Sequence, residues 1–377
     1  MNSLDTYSFE NKKVLLRVDF NIPIISDESD SVDDTRIRLS LPTIQKILSE
    51  NGSIILMTHW GRPKGKHSES RSLKNLLPLI EKLIGRTVTF CEDPLSDETF
   101  KLVQSLKPGQ IVLLENLRFY KEEFEGDEKF AEKLAKLGDC YVNNSFGTAH
   151  RNHASTATIA KFFPYDKMFG YVFESEIKKL DKLTKSSESP FTLLIGGDKV
   201  TTKIGIVEAL LPKIDNLLIG GGIAYTFAKA KGYNVGKSLV EEEYINVAKR
   251  ILETAEKFDV NIQLPVDCII ADKNGNDANI EHCEFSEIPD DWTALDIGIK
   301  TVDLFAEIIE GSKTLLWDGP LGVYEMTHFS YGTLKLALTV ARATDKGLYS
   351  VVGGGDTIAA LNKYSVSHKI SYISSAG

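Results

Sequence analysis

Short apolar runs rich in β-branched and aliphatic residues recur along the whole chain, separated by longer stretches of helical period, and this alternation limits the possible folds more than any other feature. In the first half the runs are KKVLLRV, SIILMTH, RTVTF, IVLLEN and CYVNNS. Between them, LSLPTIQKILSENG offers Ser40 as an N-cap, Pro42 in the first turn and Gly52 just past the end. LKNLLPLIEKLIG and DEKFAEKLAKLG read as further helices, the first kinked at Pro78. After Gly170, YVFESEIKKLDKL places Phe173, Ile177 and Leu180 on one helical face and leads into the polar stretch SSESP. The rhythm then restarts with FTLLIGG, DNLLIGGG, a short LPVDCIIA segment, KTLLWDG and YSVVGGG, with EEEYINVAKRILETAEKF among the intervening helices. The pattern predicts an α/β protein of two Rossmann-like domains, each a parallel sheet covered by helices, joined by a hinge helix with a central cleft. The expected boundaries are 1–170, a connecting helix and linker at 171–189, and 190–377.

Composition narrows the partners. With 42% hydrophobic and 26% charged residues the chain can bury a substantial core in water. A net charge of -9 argues against nucleic acid and anionic membranes, so an anionic ligand must meet locally concentrated Arg and Lys. No apolar run approaches a membrane span, and MNSLDTYSFENKK lacks the basic and apolar regions of a signal peptide. Cys91, Cys140, Cys268 and Cys283 lie far apart with no CxxC pair, which fits reduced thiols in a cytoplasmic protein.

In open α/β sheets ligands bind beyond the carboxyl ends of the strands. Here those ends run into Asp19, Phe20 and Asn21; into His59, Trp60, Gly61 and Arg62; into Asn116 and Arg118; and into Gly147, Thr148, His150, Arg151 and His153, with Arg36 preceding the first helix. Converging at one sheet edge, they would form a cationic pocket suited to a small molecule carrying carboxylate and phosphate. Taken singly, each arginine reads more readily as a solvated or salt-bridged surface residue, with Glu115, Glu122 and Glu123 as available partners, and His59 and His153 read equally as structural hydrogen-bonding groups.

Three glycine-rich stretches in the second half each follow an apolar run and open a helix: Gly196 to Lys203, Gly220-Gly221-Gly222, and Gly353 to Thr357. Close backbone approach and free helix N–H groups suit phosphate, Asp356 would stand beside it to hold Mg²⁺, and Lys199 and Lys203 share a helical face. One such stretch alone is ordinary turn chemistry. Neither GxxxxGK[ST] nor GxGxxG is present, and the HRD and DFG signatures of protein kinases are absent.

Taken in order, RVDFNIP, DDTRIR, THWGRPKG, LLENLRF, NNSFGTAHRNHAS, IGGGIAYTF, GKSLVEEE, LPVD, DIGIKT, WDGPLGVYE and VVGGGDT make the chain resemble phosphoglycerate kinases from near its start to its last residues. The resemblance implies the reversible, Mg²⁺-dependent reaction of 1,3-bisphosphoglycerate and ADP to 3-phosphoglycerate and ATP, in a monomer. It assigns acid binding in the first domain to Asp19, Phe20, Asn21, Arg36, His59, Trp60, Gly61, Arg62, Arg118, Arg151 and His153. Nucleotide binding in the second falls to Lys199, Lys203, Gly220, Gly221, Glu325, Gly354, Gly355, Asp356 and Thr357, with Asp356 toward the metal. Arg36, Lys199 and Gly355 are the expected catalytic set. The chain departs from common members at Asp198, Thr202, Asn144 and Asp318, and it ends at ISSAG where members usually continue into a segment that packs back on the first domain, an expectation of impaired closure. Alternatives are a catalytically weak nucleotide-binding scaffold or a kinase of another small carboxylic acid.

A carboxylate is ionised at neutral pH and needs no general base to attack. The obstacle is an anion approaching a phosphate chain, so positioning and charge neutralisation carry the catalysis.

Overall fold

The structure, a computed structural model, describes residues 3–22 and 34–374. Pro23 of RVDFNIP, Asp33 of DDTRIR and the last three residues of ISSAG therefore lie outside the described residues. The chain divides into two compact units, Met1–Lys178 and Lys179–Gly377.

The first unit is built on a six-stranded parallel sheet. Its strands are β1 (Lys13–Arg17), β2 (Ser53–Met57), β3 (Val88–Cys91), β4 (Ile111–Leu114), β5 (Cys140–Asn143) and β6 (Lys167–Phe169), in the order β3-β4-β2-β1-β5-β6. The helices are α1 (Thr35–Ser49), α2 (Leu77–Ile84), α3 (Asp97–Gln104), α4 (Lys121–Glu125), α5 (Glu128–Ala135) and α6 (Tyr171–Lys185), and the division between the units falls within α6. Because successive strand residues face opposite ways, Val14, Leu16, Ile54 and Leu56 build one core while Leu15, Ile55, Met57 and Val112 build another on the far face. A sheet covered on both faces has continuous apolar strands, which is why these runs are legible in the sequence.

The second unit repeats the plan. Its strands are β7 (Phe191–Ile195), β8 (Asn216–Ile219), β9 (Asn234–Val235), β10 (Asn261–Gln263), β11 (Asp267–Ala271), β12 (Ile280–Glu284), β13 (Glu287–Ile288), β14 (Thr293–Ile297), β15 (Thr314–Asp318), β16 (Tyr349–Gly353) and β17 (Tyr372–Ile373). The main parallel sheet has the order β10-β8-β7-β15-β16-β17. The helices are α7 (Val200–Leu210), α8 (Gly221–Ala230), α9 (Ile245–Lys257), α10 (Ile299–Gly311), α11 (Tyr331–Asp345) and α12 (Gly355–Lys363).

Three local expectations are corrected. The helix expected from Ser40 starts at Thr35: its stripe of Ile37, Ile44, Ile47 and Leu48 is buried a full turn earlier, so packing overrides the cap preference, Pro42 lies inside the helix, and the Ser40 hydroxyl donates back to the Arg36 carbonyl at 3.3 Å. Pro78 does not kink a helix but sits in the first turn of α2, after the short 3-10 turn Leu73–Leu76, where a missing N–H costs nothing. LPVDCIIA does not join the parallel sheet; as β11 it pairs antiparallel with β12 and β14. No helix separates it from β12, and a parallel pairing would need a crossover of a dozen or more residues.

Asn144 acts in the scaffold. Its Oδ1 accepts the Val172 N–H at 3.0 Å and the Thr43 hydroxyl at 3.3 Å, tying the start of α6 to α1. A side chain at Gly170 would run into it, so the neighbouring glycine follows from this contact. An amide or an acid supplies that acceptor equally.

Candidate functional site

In the first unit the carboxyl ends of β1, β2, β4 and β5 carry the expected cluster, centred on Arg17, a residue the sequence reading passes over. Arg17 closes β1 and is fully buried. It donates to the Ser155 hydroxyl at 3.0 Å, to His59 Nδ1 at 3.0 Å and to the Val18 carbonyl. Ser155 in turn donates to Glu123 through its hydroxyl at 2.6 Å and its N–H at 2.9 Å, so a hydroxyl separates a buried guanidinium from a buried carboxylate. Since arginine can only donate, His59 Nδ1 is an acceptor and the neutral ring carries its proton on Nε2.

The cations are close enough to oppose one another's charge. Burial, then Arg17, Arg118, Arg36 and His153, hold His59 well below the ordinary histidine range. His153 is lowered to about 4 by burial, then Arg118, Arg151, Arg17 and His150. Arg118 is lowered to about 10, again first by burial and then by Arg17 and Arg151, and stays charged at neutral pH. Arg118 donates to the Gly61 carbonyl at 2.8 Å, while its buried Nε has no partner among the described residues. A Cβ at Gly61, where φ is +67°, would lie 2.9 Å from the Arg71 guanidinium, so this turn requires glycine.

The acidic partners that would make these arginines ordinary do not take that role. Glu115 accepts from Ser72, Leu73 and the Asn116 N–H, and Glu123 from Ser155. Among the described residues Arg36 pairs with Asp19 at 2.9 Å, and no carboxylate lies in ion-pair reach of Arg62, Arg118 or Arg151. Asn21 accepts the Gly61 N–H at 2.7 Å and so links two of the loops. Two expected contacts are differently employed: Phe20 and Trp60 are core side chains, the Trp60 indole donating to the Ile22 carbonyl at 2.8 Å, so they shape the loops and can meet a ligand only through backbone. Arg62 follows Gly61 on the same turn, exposed and outside the contacts that bind the others.

The neutral histidines predict a pH response. An unfolded histidine takes a proton near pH 6.5, whereas folded His153 does so only at about 4 and folded His59 likewise well below 6.5. Between those values the unfolded chain binds more protons, so stability rises with pH in this window and is lost as pH falls from about 6.5 toward 4. The urea midpoint is expected to drop steadily over that range, with the His153 ring signals in NMR staying those of a neutral ring. A His153 titration near 6.5 would contradict the assignment.

In the second unit the ends of β7, β8 and β15 interlock. The Gly197 N–H donates to the Pro320 carbonyl at 2.7 Å and the Ile223 N–H to the Gly197 carbonyl at 3.1 Å. They wall a cavity of about 820 Å³, within the range of small-molecule sites. Gly221, Glu325 and Asp356 line it, with Tyr225, Leu239 and Leu295 forming an apolar part. Gly220, Gly354, Gly355, Thr357, Lys199 and Lys203 lie outside the lining. Gly354, Thr357 and Lys203 instead gather around Asp318 and Gly319: the Gly319 N–H donates to the Thr357 hydroxyl at 2.7 Å, and Lys203 Nζ reaches Asp318 Oδ1 at 2.5 Å. Lys199 stands exposed at the N-cap of α7.

Only part of the expected helix-end chemistry is free. Glu241 accepts the Val200 N–H, the Thr201 N–H at 3.3 Å and the Thr201 hydroxyl at 2.9 Å, so a carboxylate already occupies the start of α7. No side chain caps α12, which opens with Gly355, Asp356 and Thr357. Glu241 was hidden in the run EEE, which reads as a solvated surface. Thr202 bonds back to the Lys199 carbonyl at 2.9 Å.

No group of three or more His, Cys, Asp or Glu among the described residues could hold a metal unaided. Asp356, exposed in the first turn of α12, fits Mg²⁺ nonetheless, because this ion is commonly held by one or two carboxylates together with substrate phosphates.

Two α/β units, one presenting uncompensated cations at its sheet edge and the other a glycine-walled cavity with lysines beside it, describe a phosphotransferase acting on small anions. The comparisons with known proteins narrow this. The phosphoglycerate kinase family pattern matches residues 4–377. A phosphoglycerate kinase of Porphyromonas gingivalis is 43% identical over 100% of this chain and 95% of its own, and one of Borrelia turicatae is 45% identical over 98% and 92%. The structure of phosphoglycerate kinase from Coxiella burnetii superimposes with a TM-score of 0.88 at 36% identity, covering 100% of this chain and 94% of the other. The chain belongs to the phosphoglycerate kinase family.

Proposed function

We propose that the protein transfers a phosphoryl group reversibly between ATP and the carboxylate of 3-phosphoglycerate, with Mg²⁺. The observation that carries this is the group Arg17, Arg36, Arg118 and Arg151 around two neutral histidines, with no carboxylate in ion-pair reach of Arg118 or Arg151 among the described residues. Such a site is stabilised by a ligand that brings its own negative charge. Acid binding is assigned to residues 1–170, with Asp19 and Asn21 ordering the loops, and nucleotide binding to 190–377.

Bound beside Asp356, Mg²⁺ would supply charge neutralisation to the phosphate oxygens. The N–H groups opening α12 at Gly355 and Asp356 would hold the phosphate chain and Glu325 the ribose, while Thr357, fully buried with its hydroxyl accepting from the Gly319 N–H, would shape the loop from beneath. Lys199 and Arg36, both exposed and jointed by flexible stems, would follow the transferring group. A cytoplasmic monomer is the accompanying reading. Its cytoplasmic part is supported by the wide sequence spacing of the cysteines with no CxxC pair.

A coupled assay with 3-phosphoglycerate, ATP and Mg²⁺ tests the function, and steady turnover is expected. Binding without turnover would favour a nucleotide-binding scaffold. Turnover only with another acid would move the protein to a different small-carboxylate kinase.

A further inference from the structure

We propose that Asp318 makes this site selective for the metal-bound nucleotide, by opposing the entry of a nucleoside diphosphate that carries no divalent cation. The inference rests on the functional reading above. Asp318 ends β15 at the floor of the glycine loop, where it is 8% exposed. Its Oδ1 lies where a Cβ on Gly354 would be, at 2.4 Å, so the carboxylate is pressed against the loop that opens α12. That same oxygen has no directed hydrogen bond; what it has is the Lys203 ammonium at 2.5 Å.

One of the two lysines available to a phosphate chain is therefore already neutralised. The cavity wall carries Asp198, Asp356, Asp272, Asp291 and Glu325 against Lys237 and Lys273, and Lys199 stands exposed next to Asp198 in the chain. Five carboxylates against two lysines give that lining a net charge of about -3 where phosphates must arrive. Metal-free ADP carries a charge of about -3 and its complex with Mg²⁺ about -1, so the repulsion from a fixed charge is about threefold larger for the free nucleotide.

The test uses Asp318→Asn, which removes the charge, frees Lys203 and keeps the shape. Calorimetry of ADP binding is run with chelator and with excess Mg²⁺. Metal-free ADP is expected to bind about tenfold tighter to the variant, and the Mg²⁺ complex only about twofold tighter, as the ratio of charges requires. Wild-type protein should itself prefer the Mg²⁺ complex by at least about tenfold, a measurement independent of how the variant folds.

Equal tightening for both forms would overturn the selectivity and leave only a released lysine. Weaker binding of the Mg²⁺ complex would overturn it as well, marking Asp318 as a metal ligand. Turnover of 3-phosphoglycerate is measured on the same preparations. If neither protein binds ADP or turns over, the functional reading itself fails and this role with it; ADP binding with an unchanged ratio overturns the role of Asp318 alone.

Discussion

Lys199→Ala is expected to lower kcat at least a hundredfold, with a much smaller change in the dissociation constant for ATP. The two lysines of the α7 face are not equivalent. Lys203 sits 2.5 Å from Asp318 and is largely spent on that contact, whereas Lys199 is exposed at the helix start with no carboxylate in ion-pair reach among the described residues. A free ammonium on a flexible stem can move with the phosphoryl group as charge develops, and interactions made only in the transition state raise kcat without tightening ground-state binding. Removing one such donor in other enzymes costs on the order of 3 kcal/mol, which is the basis of the hundredfold figure. Lys203→Ala should cost less in kcat and act more on nucleotide affinity. Steady-state kinetics with ATP and 3-phosphoglycerate, beside calorimetry of ATP binding, separates the two effects. If Lys199→Ala turns over nearly as fast as the parent, the lysine is a solvated surface residue and the assignment is wrong.

How far the sequence could be read depended on whether the deciding force was local. The inner strands of both parallel sheets were legible because burial on two faces leaves no polar alternation, as in SIILM of β2 and FTLLI of β7, whereas the short edge strands β6, β10 and β17 gave no such run. Helix ends were less so: at Ser40 the local preference for a cap was overruled by Ile37 packing into the core a turn earlier. Glycine turns and strand-end cations pointed to the candidate sites because position beyond the strand ends is a property of topology. What the sequence withheld was pairing between distant residues. Nothing in EEE marks Glu241 as the cap of α7, 40 residues away from Thr201. Nothing in WDGP announces that Asp318 holds Lys203. Arg17 did leave a trace, as the only charge closing the otherwise apolar strand KVLLR after its first residue, and its burial gives that trace its meaning.

The second large effect follows from Arg17. Arg17→Leu is expected to destabilise the protein by about 3 kcal/mol, the lower end of the cost of stranding a buried charge, because Glu123 would be left 1% exposed with the Ser155 donors and a neutral His153 ring 3.9 Å away to hold it. With a urea slope of about 2 kcal/mol/M, the midpoint should fall by about 1.5 M, followed by far-UV circular dichroism. Leucine fills much of the volume, so a packing defect alone would give a smaller shift. Glu123→Leu should be costly for the mirror reason, since Arg17 would then lack its charge partner beyond Ser155. The decisive measurement is the double variant. If guanidinium and carboxylate act as one unit through the Ser155 hydroxyl, removing both should cost less than the sum of the single losses, by about 1–3 kcal/mol. Strictly additive losses would mean that Arg17 and Glu123 are independent, and that the buried arginine owes its place to the Val18 carbonyl and His59 instead.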